Sequence, residues 1–456
     1  TVHVCMYMYT YSIRNKVRFL IVFHPTCFKK SMDFLRNNGL AIASGVAIGF
    51  AISNILNNKV RSTSRSTSEA TLPGAVDLAR GRSLLPYESK QQEACAATHV
   101  VSNVDSKMYD AAICTHSGSF HCDEALAIGL LKLLPKWRDA PVIRSRDKKI
   151  IPKCAMAVDV GGTHDHEKCQ YDHHQKEFNA EYEDITLGAS NTGFKTKLSS
   201  AGLVYKYYGK EILDEVRKSV GAPEESAALS DKIWKKMYSG FIEHVDGIDN
   251  GIEAFEGGTP NYSVSSTLSL RVGRLNPAWN QESSNTTRNE LFQKAMLLTQ
   301  KEFLDMAIRL YTDWMPARSI VERAIDGSAQ KYGQKYGGEA DPKIDSQIFV
   351  LSEPCPWKDH LFDLEKEKNI VGQYIYCLSP NADGSTSINA VPIAPNSFTS
   401  RKALPKPWRA LRDEKLSTLN KIEGSVFVHN SGFCGGNLTF DGAMAMARAA
   451  IRFEEE

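Results

Sequence analysis

The chain has 456 residues, of which 42% are hydrophobic and 24% charged, with 55 Lys and Arg against 53 Asp and Glu. This globular composition excludes a collagen, a disulfide-stapled mini-protein and a fully disordered chain, and the length suits two or three domains. A net charge of +2 excludes binding of nucleic acid by bulk positive charge, so any polyanion specificity has to come from a local site.

The charge is unevenly placed. Residues 1–70 carry nine Lys/Arg and only two acids, Asp33 and Glu69, and are rich in Ser, which is the composition of an organelle targeting segment. Between Arg36 and Lys59 lie 22 uncharged residues, so 37–58 suit a membrane anchor and a hydrophobic targeting helix equally. Residues 57–107 have no sustained periodicity and read as a linker, so that 1–107 form a targeting, anchor and linker region and the fold begins near Met108. Ten scattered cysteines without a C-x-x-C pair point to a reducing compartment.

From Ala111 to Thr115 a short apolar run stops at a polar loop, and Glu124–Leu134 then carries apolar residues at helical spacing. Pro141–Arg144 and Ala155–Val160, the latter ending in Gly161-Gly162, predict two further strands. Strands alternating with helices predict an α/β fold, a parallel sheet flanked by helices with reactive loops at the strand C-termini. From Thr287 to Leu310, apolar residues trace one stripe of a long helix that Pro316 should end or kink. The Gly/Lys/Tyr-rich stretch Asp326–Asp345 predicts a surface connection between a domain at 108–325 and a smaller α/β domain at 326–456.

Six of the 12 histidines (His116, His121, His164, His166, His173 and His174) fall within 59 residues. Imidazole and carboxylate are both ready ligands for divalent metals at neutral pH. His116, His121 and Asp123 follow the first strand, Asp159 closes a later one, and Asp172-His173-His174 lies just beyond, so a parallel sheet would gather them at one edge. With Asp246 added, the set suffices for two metal ions, an arrangement suited to phosphoester hydrolysis. His164 and His166 read as exposed loop residues, and Cys114 and Cys122 as packing.

Asp172-His173-His174 after the Asp159 strand resembles the DHH phosphoesterases. The strings from Thr115 to Leu126 (THSGSFHCDEAL), Leu198 to Tyr205 (LSSAGLVY) and Val428 to Gly436 (VHNSGFCGG) are similar to one branch, the melanocyte proliferating gene (MYG) exonuclease family, over roughly Tyr109 to Ala450. The resemblance implies a metal-dependent 3′–5′ exonuclease that acts on single-stranded RNA from its 3′ end, in mitochondria and the nucleus or nucleolus, with two divalent ions, Mn²⁺ or Mg²⁺. It makes His116, His121, Asp123, Asp159, His173 and Asp246 the metal ligands, with Asp249 the alternative to Asp246. It sets His174 against the scissile phosphate and makes Asp172 the carboxylate that orients the histidines. His121 stands where the wider superfamily usually has Asp, which shifts metal preference towards softer ions such as Mn²⁺.

In the C-terminal region Arg401, Lys402, Arg409 and Arg412 interleave with Trp408, and His429, Gly435 and Gly436 lie in the last matched string. The resemblance makes this the substrate-binding domain, with arginines on phosphates, Trp408 stacked on a base and glycine N–H groups close to a phosphate. Trp279 reads as a core residue. A small-molecule phosphoesterase or pyrophosphatase with the same metals is the alternative, and a non-enzymatic RNA-binding protein a third. A zinc deaminase is rejected, because Asp123 stands where that motif needs Glu and Pro354-Cys355 lacks the second cysteine.

Overall fold

The computed structural model describes residues 6–13, 16–23, 91, 95–102, 106–181, 194–255, 262–331 and 341–454. The chain divides into two compact units, residues 1–80 and 81–456. In the first, β1 (Met6–Ile13) pairs antiparallel with β2 (Lys16–Phe23). The anchor reading at 37–58 and most of the linker lie outside the described residues. Among the described residues, no helix is long and apolar enough to cross a membrane.

The second unit holds two sheets. The six-stranded one has the order β3-β5-β4-β6-β8-β7, built from β3 (Val100–Val101), β4 (Ile113–Thr115), β5 (Val142–Arg144), β6 (Met156–Val158), β7 (His164–Asp165) and β8 (Gln170–Tyr171). All pairings in it are parallel except β7 with β8. The predicted α/β architecture is therefore present, and the three predicted strands appear as β4, β5 and β6. The sheet also recruits residues before Met108, since β3 pairs with β5 and Cys95 is fully buried. A two-residue strand is too short to show a period, which is why the sequence hides it.

Around this sheet pack α1 (Cys122–Leu131), α2 (Ser200–Ser219), α3 (Ala227–Met237), α4 (Glu243–Asp249), α5 (Leu268–Gly273) and α6 (Asn285–Arg309). Every residue of α1 is buried, as befits a helix enclosed by neighbours on all sides. At Gly129 a Cβ would stand 3.2 Å from the carbonyl of Met296, so α1 and α6 approach backbone to side chain, and Gln300 donates to the Gly129 carbonyl at 2.9 Å. The long helix does not stop at Pro316. A π-turn over Leu310–Trp314 joins α6 to α7 (Met315–Lys331), the Met315 N–H reaching back to Leu310 O. Proline cannot donate to the turn before it and crowds that turn's carbonyl, and a widened turn accommodates both effects. The expected connection at Asp326–Asp345 accordingly begins inside α7 and ends in α8 (Pro342–Asp345).

The second sheet is five-stranded and mostly antiparallel, with order β12-β13-β11-β10-β9: β9 (Ile348–Val350), β10 (Tyr376–Pro380), β11 (Thr386–Ala390), β12 (Ser425–Val428) and β13 (Cys434–Asn437). With it come α9 (Lys358–Glu367), α10 (Asp413–Asn420) and α11 (Phe440–Arg452). Arg448 on α11 makes a buried bidentate pair with Asp345 at the end of α8, at 2.7 and 2.8 Å. Asp345→Ala leaves that guanidinium buried without its carboxylate and is expected to cost about 3–5 kcal/mol, read as a lowered urea midpoint.

Candidate metal centre

Parallel pairing sets the C-terminal ends of β4, β6 and β8 side by side, and each end delivers polar side chains. Asp159 follows β6 directly, with φ +57°, a left-handed conformation that Asp tolerates better than most residues. Its N–H donates to Tyr171 O at 3.0 Å, and the Ser200 hydroxyl stands 3.2 Å from its Oδ1. Three imidazoles converge on this carboxylate. His116 Nε2 is 3.3 Å away, His173 Nε2 3.4 Å and His174 Nδ1 3.4 Å.

Two groups of ligands share Asp159. One comprises His116, His121, Glu124 and Asp159; the other joins His173 to Asp159 and His174 and, through the same imidazole, to Asp123 and Asp249. Glu124 was not singled out as a ligand from the sequence. It stands 3.0 Å from His116 Nε2 while also accepting the backbone N–H of His121 at the start of α1. Asp123 and Glu124 in the first turn of α1 also complement the positive end of that helix.

The donor set fits divalent cations. Both nitrogens of His173 and both oxygens of Asp123 are buried with no hydrogen-bond partner. Yet carboxylate oxygens of Asp249, Asp159 and Asp123 crowd His173 Nε2 at 3.1, 3.4 and 3.9 Å. Several acceptors aimed at one nitrogen, none in hydrogen-bonding geometry, is what ligands look like around a shared cation. Leaving such groups unpaired would cost about 1–3 kcal/mol each.

The electrostatics agree. Burial and the neighbouring Asp159, Asp249 and Glu124 raise the Asp123 carboxyl well above its usual range. Burial would raise Asp159 as well, but His116 and His173 outweigh it and hold this carboxyl well below the usual range. For His116 burial opposes the charged ring, yet Asp159 and Glu124 raise it to about 10; for His173, Asp159 and Asp249 overcome burial in the same way and raise it to about 9.

Asp246 is not among these ligands, contrary to the sequence-based assignment. Its Oδ1 accepts from Ser199 N, Ser199 Oγ and Gly202 N at 3.0, 2.7 and 3.0 Å, and its Oδ2 from Tyr238 OH at 3.1 Å. Four donors leave it saturated. Burial pushes it up to about 7, with the donors holding it from rising further. A Cβ at Gly202 would stand 2.3 Å from its Oδ2, which explains the Ser199-Ser200-Ala201-Gly202 string as the seat of this carboxylate. Asp246 fastens α4 to the start of α2, and Asp249, one turn further along α4, points into the cluster.

Asp172 orients His174 alone. Its Oδ1 takes His174 Nδ1 at 2.8 Å and its Oδ2 the Gly162 N–H at 2.6 Å, while the His174 side chain stays 65% exposed. His164 and His166 do not join the site. His164 lies in β7 with its Nε2 buried, not in an exposed loop, whereas His166 is exposed in the turn after β7, as expected, where it stacks on Tyr207 at 3.9 Å and bonds Tyr171 OH at 2.8 Å. Cys114 and Cys122 are buried.

The ligand loop is braced from outside by two residues the sequence did not mark. Arg144, fully buried beneath the Phe120 and Phe292 rings, donates to Gly118 O at 2.8 Å. Asn276 takes both backbone groups of Phe120, at 3.0 and 2.8 Å. The cluster opens into a cleft of about 560 Å³ lined by Phe120, His121, Asp159, His174, Lys197 and Gly273, among others.

The C-terminal candidates are elsewhere, and none of them lines this cleft. Trp408 is buried among Leu404, Leu416 and Val428 and cannot stack on a base. Arg401 is spent on Glu365, at 2.7 and 2.6 Å, and on Tyr374 O. Lys402 donates to Ile451 O and Arg409 to Leu404 O. These three line a separate C-terminal cleft. Arg412 lies over the Phe427 ring, and His429 bonds Ser431. Gly435 and Gly436 are buried in β13, paired on both sides, where a Cβ at Gly435 would stand 2.8 Å from Phe427 O, so strand packing accounts for Gly435.

Two predictions follow from this geometry. Metal needs neutral imidazoles, so uptake at pH 7.5 should release protons from His116 and His173, and affinity should climb as pH rises through 9 and 10. Calorimetry in buffers of different ionisation enthalpy measures this. In the metal-free protein the raised imidazoles contribute stability fully below pH 6.5, and it is lost as pH rises through 9 to 10. Second, Asp249→Ala should weaken metal binding by at least about tenfold and, in the metal-free protein, remove the part of the His173 stabilisation that Asp249 supplies. Asp246→Ala should instead lower the urea midpoint, at about 1–3 kcal/mol for each stranded donor.

The family model described as "Uncharacterised protein family (UPF0160)", under the label MYG1_exonuc, matches residues 112–451. The chain is 42% identical to the "MYG1 exonuclease" of Homo sapiens over 338 residues, which is 74% of this chain and 85% of that protein. It is equally 42% identical to the "MYG1 exonuclease" of Rattus norvegicus, covering 74% of this chain and 84% of that protein, and to the "MYG1 protein" of Dictyostelium discoideum, covering 75% and 96%. No solved structure matches. With the match running from β4 through α11, the chain belongs to the MYG1 exonuclease family.

Proposed function

We propose that the protein is a metal-dependent 3′–5′ exonuclease that hydrolyses the terminal phosphodiester of single-stranded RNA, using two divalent ions, Mn²⁺ or Mg²⁺. The observation that carries this reading is the Asp159 carboxylate, shared by two ligand groups at the floor of an open cleft. His116, His121, Glu124 and Asp159 would hold one ion, and Asp123, His173 and Asp249, with Asp159, the other. When bound, the ions supply Lewis acidity towards phosphoryl oxygens and water. The relatives named exonuclease supply the reaction class.

The chain's own residues contribute orientation and charge. Both Asp172 oxygens accept hydrogen bonds, so His174 carries a proton on Nδ1, and as the imidazolium its outer Nε2 would donate to a phosphate oxygen in the cleft. Arg144 and Asn276 keep the His116–His121 loop from moving, which preserves the spacing of its ligands during turnover. The basic, acid-poor residues 1–70 support delivery to mitochondria, and RNA processing there and in the nucleus is part of the proposal.

The test incubates the protein with 5′-labelled single-stranded RNA and, separately, with pyrophosphate or a nucleoside bisphosphate, each with Mn²⁺, Mg²⁺ or EDTA. A ladder shortening from the 3′ end only with metal is expected. Phosphate release from the small substrates alone would make this a small-molecule phosphoesterase. Asp159→Asn should lower kcat by about 10²–10³-fold or more while the RNA Kd in EDTA holds, and full activity would remove Asp159 from the centre.

A further inference from the structure

Trp279 is 97% exposed, whereas the other five tryptophans of the chain are all buried. Tryptophan carries the largest apolar surface of any side chain, and leaving it in water forgoes the free energy of burying it. A core role, the reading its sequence suggested, is therefore excluded. Its position has a consequence for the cleft. Asn276, three residues earlier, holds both backbone groups of Phe120, and Phe120 and Gly273 line the cleft beside His174. Three residues of chain span at most about 10 Å, so the Trp279 backbone lies within that distance of the Asn276 clamp beside the cleft.

The same loops carry cations. Lys197 lines the cleft, and Arg146 is exposed with its Nε donating to Ser117 O at 3.1 Å in the ligand loop. Arg274 is exposed between the cleft-lining Gly273 and the clamp residue Asn276. A bare indole on the segment that carries Arg274, near a cleft with Lys197 on its lining, matches an anionic strand with unpaired bases: cations take phosphates, and the ring takes a base face.

We propose that Trp279 is the stacking platform on which an unpaired base of the substrate strand rests as the scissile phosphate enters the cleft. This rests on the nuclease reading above, and it moves base stacking from the C-terminal region to the loop after α5. A strand gripped in this way has to be unpaired at the rim, so a duplex end would enter only after fraying.

The test measures anisotropy of a 5′-fluorescein single-stranded RNA ten-mer with the full chain in EDTA, where no turnover intervenes. Trp279→Ala should weaken Kd by about 5–150-fold, as expected for one lost stack, and Trp279→Phe should recover most of it. In steady state with Mn²⁺ the loss should appear in KM rather than kcat. An unchanged melting temperature establishes that Trp279→Ala folds. Phe398→Ala, which truncates an equally exposed ring, should leave Kd unaltered. If wild type and Trp279→Ala bind alike, the platform is overturned while the nuclease reading stands, and the ring becomes a candidate protein contact. An equal loss from Phe398→Ala overturns it as general ring stickiness, and a wild type that neither binds nor shortens RNA overturns both readings.

Discussion

Four buried or partly buried carboxylates, Asp123, Glu124, Asp159 and Asp249, face one small volume together with four imidazoles, and without positive charge between them they would repel. Everything else about the site follows from holding that concentration of charge in place. Asp159 sits in a left-handed backbone conformation because the chain must turn sharply at the end of β6 to bring its carboxylate between His116 and His173. In the metal-free state the neighbouring carboxylates favour the protonated rings of His116 and His173, which raises both. The protons therefore stand in for the cations.

The support lies one layer outwards and is of two kinds. On one side Asp246 uses four neutral donors to bind α4 to the start of α2, which fixes the direction of Asp249. On the other, Arg144 and Asn276 tie down the glycine-containing loop that bears His116 and His121. A buried arginine between two phenylalanine rings is costly, and burial lowers it to about 10. Its hydrogen bond to Gly118 O is placed where a loop rich in Ser and Gly would otherwise have little to define it.

Much of this was legible in the sequence, for identifiable reasons. Short continuous apolar runs found β4, β5 and β6, each buried throughout, and helical spacing of apolar residues found α1 and α6. The order of His116, His121, Asp123, Asp159 and His173 along alternating strands implied a common sheet edge, since parallel pairing aligns strand ends. Asp246 and Asp249 could not be separated, because residues three apart on a helix share a face. Only the position of Ser199 and Gly202, more than 40 residues away, decides which is tied down and which is open. The cation-rich C-terminal string misled for a similar reason. Arg401 finds Glu365, 36 residues earlier, and composition carries no record of such a pairing. Trp408 and Trp279 exchanged their expected places, one buried and one bare, because a lone aromatic has no period from which its side can be read.

The clamp at Asn276 joins features that a sequence reading keeps apart. Its amide donates to Phe120 O and its carbonyl accepts from Phe120 N–H, so the ligand loop and the segment bearing Trp279 are fastened at one backbone position. A side-chain amide has the paired donor and acceptor needed to close both groups of one residue. Gly118, with φ +98°, gives the loop the turn by which the chain reaches that point, and Arg144 holds its carbonyl. Metal ligands on one side of Phe120 and an exposed indole on the other thus share a rigid mount. On the proposed reading, an enzyme that must place a phosphodiester to within a fraction of an ångström gains from gripping the strand by a segment fastened to the loop that positions its ligands.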